Sequence, residues 1–182
     1  METLNFSRKT MDELQRAEAG SVDEADRFPV FVILDDVRSM HNVGSAFRTS
    51  DAFHAKGIYL CGFTPRPPHR DIHKTALGAT ETVPWKYEEE ITIAINNLKS
   101  EGYEIWAVEQ VHNSISLQDC KFDNDKKIAL IFGNEVTGVS DAALALCDGS
   151  IEIPQWGTKH SLNISVTVGV VLWEMVKGRA LK

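Results

Sequence analysis

Asn42 and Arg48 stand six residues apart, about two helical turns, at the start of an expected helix. A helix N-terminus with a guanidinium close by suits an anion, and an arginine can hold a phosphate through two parallel hydrogen bonds. The plainer arrangement is a surface ion pair at Arg48, with Asn42 acting only as a cap. Gly133 directly follows an apolar run. A backbone without a side chain there lets a flat ligand approach, or simply turns the chain. Glu135 stands without an acidic partner, which argues against a two-carboxylate mechanism. Ser161 and Asn163 open the last helical stretch. Ser161 reads as its cap, and the apolar flanks of Asn163 predict a buried amide that needs partners.

Other chemistries find little support. No G-x-G-x-x-G or G-x-x-x-x-G-K-[ST] follows any strand, so the usual dinucleotide and triphosphate loops are absent. His69 and His73 have helical spacing but no evident third ligand, and no metal is expected. Cys61, Cys120 and Cys147 are odd in number and widely spaced, which predicts reduced thiols in a cytosolic setting. The N-terminus lacks the apolar core of a signal peptide. Residues 161–176, the most apolar stretch, are too short and too polar for a membrane span.

The elements that must position these residues follow from periodicity. FPVFVILDD (28–36), GIYLCG (57–62), YEIWAVE (103–109), KKIALIF (126–132) and SIEIP (150–154) read as strands. NVGSAFRTSDAFHA (42–55) reads as a helix with Gly57 as its stop. Residues 88–102 form an amphipathic helix, 140–147 a helix capped by Ser140, and 161–177 the last one. A Pro-rich basic loop, TPRPPHRDIHK (64–74), leads into a short helix. Strands alternating with helices predict an α/β domain with a mostly parallel sheet, and ligands in such folds gather at the C-terminal strand ends. The 182 residues suit one domain: a polar lead-in over 1–27, then a core over 28–182.

The net charge of −7 speaks against a nucleic-acid partner until it is divided along the chain. Residues 38–86 hold seven basic and three acidic side chains, a net of +4, with four of the six histidines. A local basic patch holds phosphates whatever the total, because distant charges are screened beyond ~8 Å at physiological salt.

Three stretches together resemble the motifs of the SpoU/TrmH family of RNA ribose 2′-O-methyltransferases: VRSMHNVGSAFRTSDAF, IALIFGNEVTGVS and IEIPQWGTKHSLNISVTVGVVLWE. The resemblance covers roughly 30–177 with order and spacing intact. EGYEIWAVEQVHNSISL, continuing into the second and third motifs, is most similar to the branch that methylates guanosine 18 of tRNA. The resemblance implies a SPOUT-type α/β sheet, mostly parallel and forming a single domain, with a C-terminal trefoil knot. It implies S-adenosylmethionine as cofactor, with its adenosine at Gly133, Ile153 and Leu162 and with Glu109 near the first knot loop. It implies Arg48 as the catalytic arginine, and Asn42, Glu135, Ser161 and Asn163 shaping the site. It further implies an obligate homodimer with the active site near the subunit interface, in the cytoplasm.

Two departures stand out. The third motif carries Gln155 and Trp156, which would sit beside the cofactor, and the chain lacks the long basic extensions of many relatives. RNA grip is therefore expected from Arg38, His41, Arg66, Arg70 and Lys74, or from an accessory subunit. The alternatives are the same chemistry on ribosomal RNA and a non-catalytic RNA-binding paralogue of the same fold.

Overall fold

The computed structural model describes residues 7–10, 12–14, 27–123 and 125–178. Most of the expected lead-in (1–27) and of the terminal GRALK (178–182) lies outside the described residues. Arg27 is buried, and its guanidinium donates to the carbonyls of Ala55 and Thr82 at 3.2 and 2.7 Å.

The elements run β1 (Phe28–Asp35), α1 (Met40–Ala52), β2 (Ala55–Cys61), α2 (Arg70–Ala76), α3 (Ala79–Thr82), β3 (Trp85–Glu88) and α4 (Ile91–Ser100). They continue with β4 (Glu104–Val108), β5 (Ile115–Ser116), β6 (Ile128–Phe132), α5 (Asp141–Leu144), β7 (Gly149–Glu152) and α6 (Ile164–Val176). The strands form one sheet in the order β3-β2-β1-β6-β4-β7-β5, and each paired neighbour is parallel. This is the parallel α/β domain expected.

Alternation along β1 divides the core. Val30, Val32 and Leu34 face one side, where α1 and α6 contribute Phe47, Val168 and Leu172. Ile33 faces the other, where α4 supplies Ile95 and Leu98. Both faces of the central strands are covered, which is why β1 and β6 read as unbroken apolar runs.

Two local expectations are corrected. Gly57 does not stop α1: the helix ends at Ala52, and His54 takes a left-handed φ of 55° before β2 begins. Gly57 lies inside β2, where a Cβ would stand 2.8 Å from both the Phe31 ring and the Pro84 carbonyl. Close packing, not helix termination, requires a glycine there. Strands β3 and β5 escaped the sequence reading because WKYE, although it alternates, is only four residues long and Ile115–Ser116 only two.

Candidate active site

Three loops meet at the C-terminal edge of the sheet, those after β1, β6 and β7. The first is held to the second by one carboxylate. Glu135 accepts hydrogen bonds from the backbone N–H groups of Arg38 (3.0 Å) and Ser39 (3.1 Å) and from the Asn42 side-chain amide (2.8 Å). Ser39, not Asn42, is the N-cap of α1, its side chain accepting from the Asn42 N–H at 3.3 Å. The start of α1 is thus already supplied with an anion, its own Glu135, which complements the positive end of the helix dipole. Partial burial raises the Glu135 pKa, but the hydrogen bonds from Arg38, Asn42 and Ser39 outweigh it and hold the carboxyl below its ordinary range.

The second loop is shaped by Asn134. Its amide nitrogen donates to the Asp36 carbonyl at 2.7 Å, and its amide oxygen accepts from Val136 and Thr137. Paired backbone bonds between Asn134 and Gly138 close the loop into a tight turn. A Cβ on Gly133 would come within 2.1 Å of the Gly138 and Val139 backbone, so this glycine is required by the turn itself. Beneath the turn, Asp35 accepts from the Ser140 N–H at 2.8 Å. Burial pushes the Asp35 carboxyl up, and the Ser140 bonds only partly offset it.

Between the loops after β4, β6 and β7 lies a cavity of about 390 Å³. Its apolar floor includes Val108, Phe132 and Ile151, and its polar wall includes Glu109, Glu135 and Asn163. Gly133, Ile153, Ser161 and Leu162 also border it. Glu109 accepts from the Val139 N–H at 3.1 Å, and the Gln110 side chain donates to the His160 carbonyl at 2.8 Å, tying the third loop down. The volume and mixed lining fall within the range of small-molecule sites.

The structure brings most of the expected residues together and corrects several. Asn163, not Ser161, caps α6: its side chain accepts from the Ser165 N–H at 2.8 Å, and its amide is exposed rather than buried. The helix begins at Ile164, which is buried, whereas Leu162 on the other flank of Asn163 is 41% exposed. Gln155 lines the cavity, but Trp156 does not and is 89% exposed. Arg48 is exposed on α1 and outside the cavity lining, and it has no ion-pair partner among the described residues. The surface ion pair weighed for it is not formed among the described residues.

The basic residues distribute over α1 and α2. Arg38 and His41 are exposed at the start of α1, and the Thr75 hydroxyl donates to the His41 carbonyl at 3.2 Å across the two helices. Lys74 pairs with Asp71 at 2.8 Å, Arg66 lies over the Tyr87 ring, and Arg70 opens α2. His69 caps α2 through Nδ1, which accounts for it without a metal. No cluster of three or more metal-ligating side chains occurs among the described residues. No helix among them is long and apolar enough to cross a membrane.

The family model described as SpoU rRNA Methylase matches residues 29–173. The chain belongs to the SpoU methylase family. Among its SpoU relatives, a 23S rRNA (guanosine-2'-O-)-methyltransferase of Neisseria meningitidis is 31% identical over 155 residues, covering 85% of this chain and 60% of the relative. A tRNA (guanosine(18)-2'-O)-methyltransferase of Thermus thermophilus is 32% identical over 148 residues, covering 81% and 74%. The AdoMet-bound rRNA methyltransferase of Sinorhizobium meliloti superposes with a TM-score of 0.78 at 26% identity, covering 87% of this chain and 61% of that one. The chain spans 60–65% of the length of the first two curated SpoU relatives it matches.

Proposed function

We propose that this chain is an S-adenosylmethionine-dependent RNA ribose 2′-O-methyltransferase acting on tRNA, at guanosine 18. The observation that carries the reading is the cavity bordered by Gly133, Glu135, Ile153, Leu162 and Asn163, joined through Glu135 to the helix that bears Arg48. The lining fits the cofactor's chemistry: apolar side chains for a purine, backbone at Gly133, Ile153 and Leu162 for its edge, and carboxylates at Glu109 and Glu135 for cationic groups. When bound, S-adenosylmethionine supplies an activated methyl group on a sulfonium.

The protein's part is alignment and charge. Glu135 and Asn42 fix the first turn of α1, and Arg48 projects about two turns further along. Because a guanidinium stays protonated in proteins, Arg48 does not act as the base. It holds an RNA phosphate and stabilises the alkoxide that develops on the ribose, while the proton leaves through a phosphate oxygen or water. Ser161 and Asn163 shape the opposite wall of the site.

The reading extends to assembly. Val166, Val170 and Trp173 form an exposed apolar stripe along α6 at i, i+4 and i+7, which supports a homodimer packed through that helix. The segment after β7 returns to the loop after β4 through the Gln110–His160 bond, which supports a C-terminal trefoil knot. Residues 28–182 form the catalytic unit, and RNA is gripped by Arg38, His41, Arg66, Arg70 and Lys74 or by an accessory subunit. The cytoplasm is the compartment where such RNA is met.

Ribosomal RNA is the second reading, because the rRNA-directed and tRNA-directed relatives match with nearly equal identity. Labelled methyl transfer from S-adenosylmethionine to a panel of unmodified tRNA and rRNA separates the two. Label in tRNA alone is expected. Cofactor binding without transfer to either RNA would leave a non-catalytic paralogue.

A further inference from the structure

The loop after β2 and the edge strand β3 enclose an open groove of about 800 Å³ that the cofactor cavity does not reach. Its lining is aromatic with one guanidinium: Phe63, Trp85 and Tyr87 with Arg66, beside His69, and no carboxylate. Phe63 is 88% exposed, yet its backbone is fixed, the N–H donating to Asp36 Oδ1 at 2.7 Å. The Arg66 guanidinium lies 4.0 Å from the Tyr87 ring centroid, and the Tyr87 hydroxyl donates to the Gly62 carbonyl at 3.2 Å. Phe63 shares this groove with Trp85 and Tyr87, so it belongs to an aromatic patch rather than standing as a lone exposed apolar side chain. Flat rings beside an arginine suit a nucleobase with its phosphate, since base–aromatic stacking tolerates every base.

Position strengthens the case. The groove stands over β3 and β2, and the cavity over β6, β4 and β7, so only β1 lies between them. From β2 to β6 is two strand spacings, about 10 Å, a short step along a nucleic-acid strand. The intervening strand carries the loop with Arg38, and the Asn134 amide bonds the Asp36 carbonyl while Asp36 Oδ1 bonds Phe63. The two sites are thus braced through one residue. Glu88 and Glu89 follow Tyr87 and repel phosphates from that side, which directs the nucleic-acid backbone towards Arg66 and Arg70.

We propose that Phe63, Arg66 and Tyr87 form a stacking site for an unpaired nucleobase that flanks the ribose methylated at the cavity. The inference rests on the proposed RNA methyltransferase activity and adds that the RNA is single-stranded beside its target.

The test uses a fluorescein-labelled oligoadenylate and a duplex RNA of equal length, with binding followed by fluorescence anisotropy. Phe63→Ala is expected to weaken oligoadenylate binding about five-fold or more, as loss of one stacked base requires. Phe63→Trp should restore it, duplex affinity should not change, and the Kd for S-adenosylmethionine should stay as in the wild type. Equal oligoadenylate affinity for wild type and Phe63→Ala would overturn this inference alone. Failure of the wild type to bind either RNA would overturn the RNA reading along with it.

Discussion

The Asn42 amide donates to Glu135 Oε1 at 2.8 Å, across 93 positions of sequence. With the Arg38 and Ser39 N–H groups on the same carboxylate, this bond fastens the loop after β6 to the start of α1. The helix that carries Arg48 is thereby referenced to the turn that borders the cofactor cavity. A side chain two turns away is aimed by a contact it does not touch.

Arg48→Ala is expected to bind S-adenosylmethionine as the wild type does, because Arg48 lies outside the cavity lining. Methyl transfer should fall by about 10²–10³-fold, the usual loss when one electrostatic stabiliser is removed. Calorimetry and labelled-methyl incorporation read the two effects separately. Near-normal turnover would remove Arg48 from the mechanism.

Glu135→Gln should loosen the clamp. Three bonds to a carboxylate become weaker bonds to a neutral amide, at about 1 kcal/mol after allowance for its exposed position. The folded pKa of Glu135 is depressed, so this stability is present above the ordinary carboxylate range and is lost as pH falls through the folded value. Thermal melts of wild type and variant should therefore converge in acid.

Asp35 predicts the opposite slope. Burial raises its folded pKa, so the wild type should lose stability relative to Asp35→Asn as pH rises through that value. The carbonyl of an asparagine still accepts the Ser140 N–H. A melting difference between the two proteins that is independent of pH would contradict the account of Asp35.

Gly133→Ala should cost at least about 2 kcal/mol, because its Cβ would meet backbone at 2.1 Å rather than a side chain that can swing away. The same change should weaken S-adenosylmethionine binding sharply. Chemical denaturation and calorimetry on one preparation give both numbers.

These residues also mark how much was legible in the sequence. Continuous apolar runs announced β1 and β6, because burial on both faces demands them. The alternation of strands and helices pointed to the parallel sheet, and the order of motifs to the cavity wall. Local caps were harder. Ser161 and Asn163 are both good cap residues two positions apart, and only the turn geometry selects Asn163. Gly57 looked like a helix stop because a glycine carries no label for why it is there; the Phe31 ring across the sheet supplies the reason. The Glu135 clamp was invisible because its partners lie more than 90 residues away. The groove at Phe63 was hidden because its rings come from a loop and from an edge strand of only four residues, too short for its alternation to stand out.

The central claim is tested most directly by labelled-methyl transfer from S-adenosylmethionine to unmodified tRNA, with mapping of the modified nucleotide. The account predicts label on the 2′-oxygen of guanosine 18, reduced about 10²–10³-fold by Arg48→Ala. Absence of label from every tRNA, with S-adenosylmethionine bound, would contradict it.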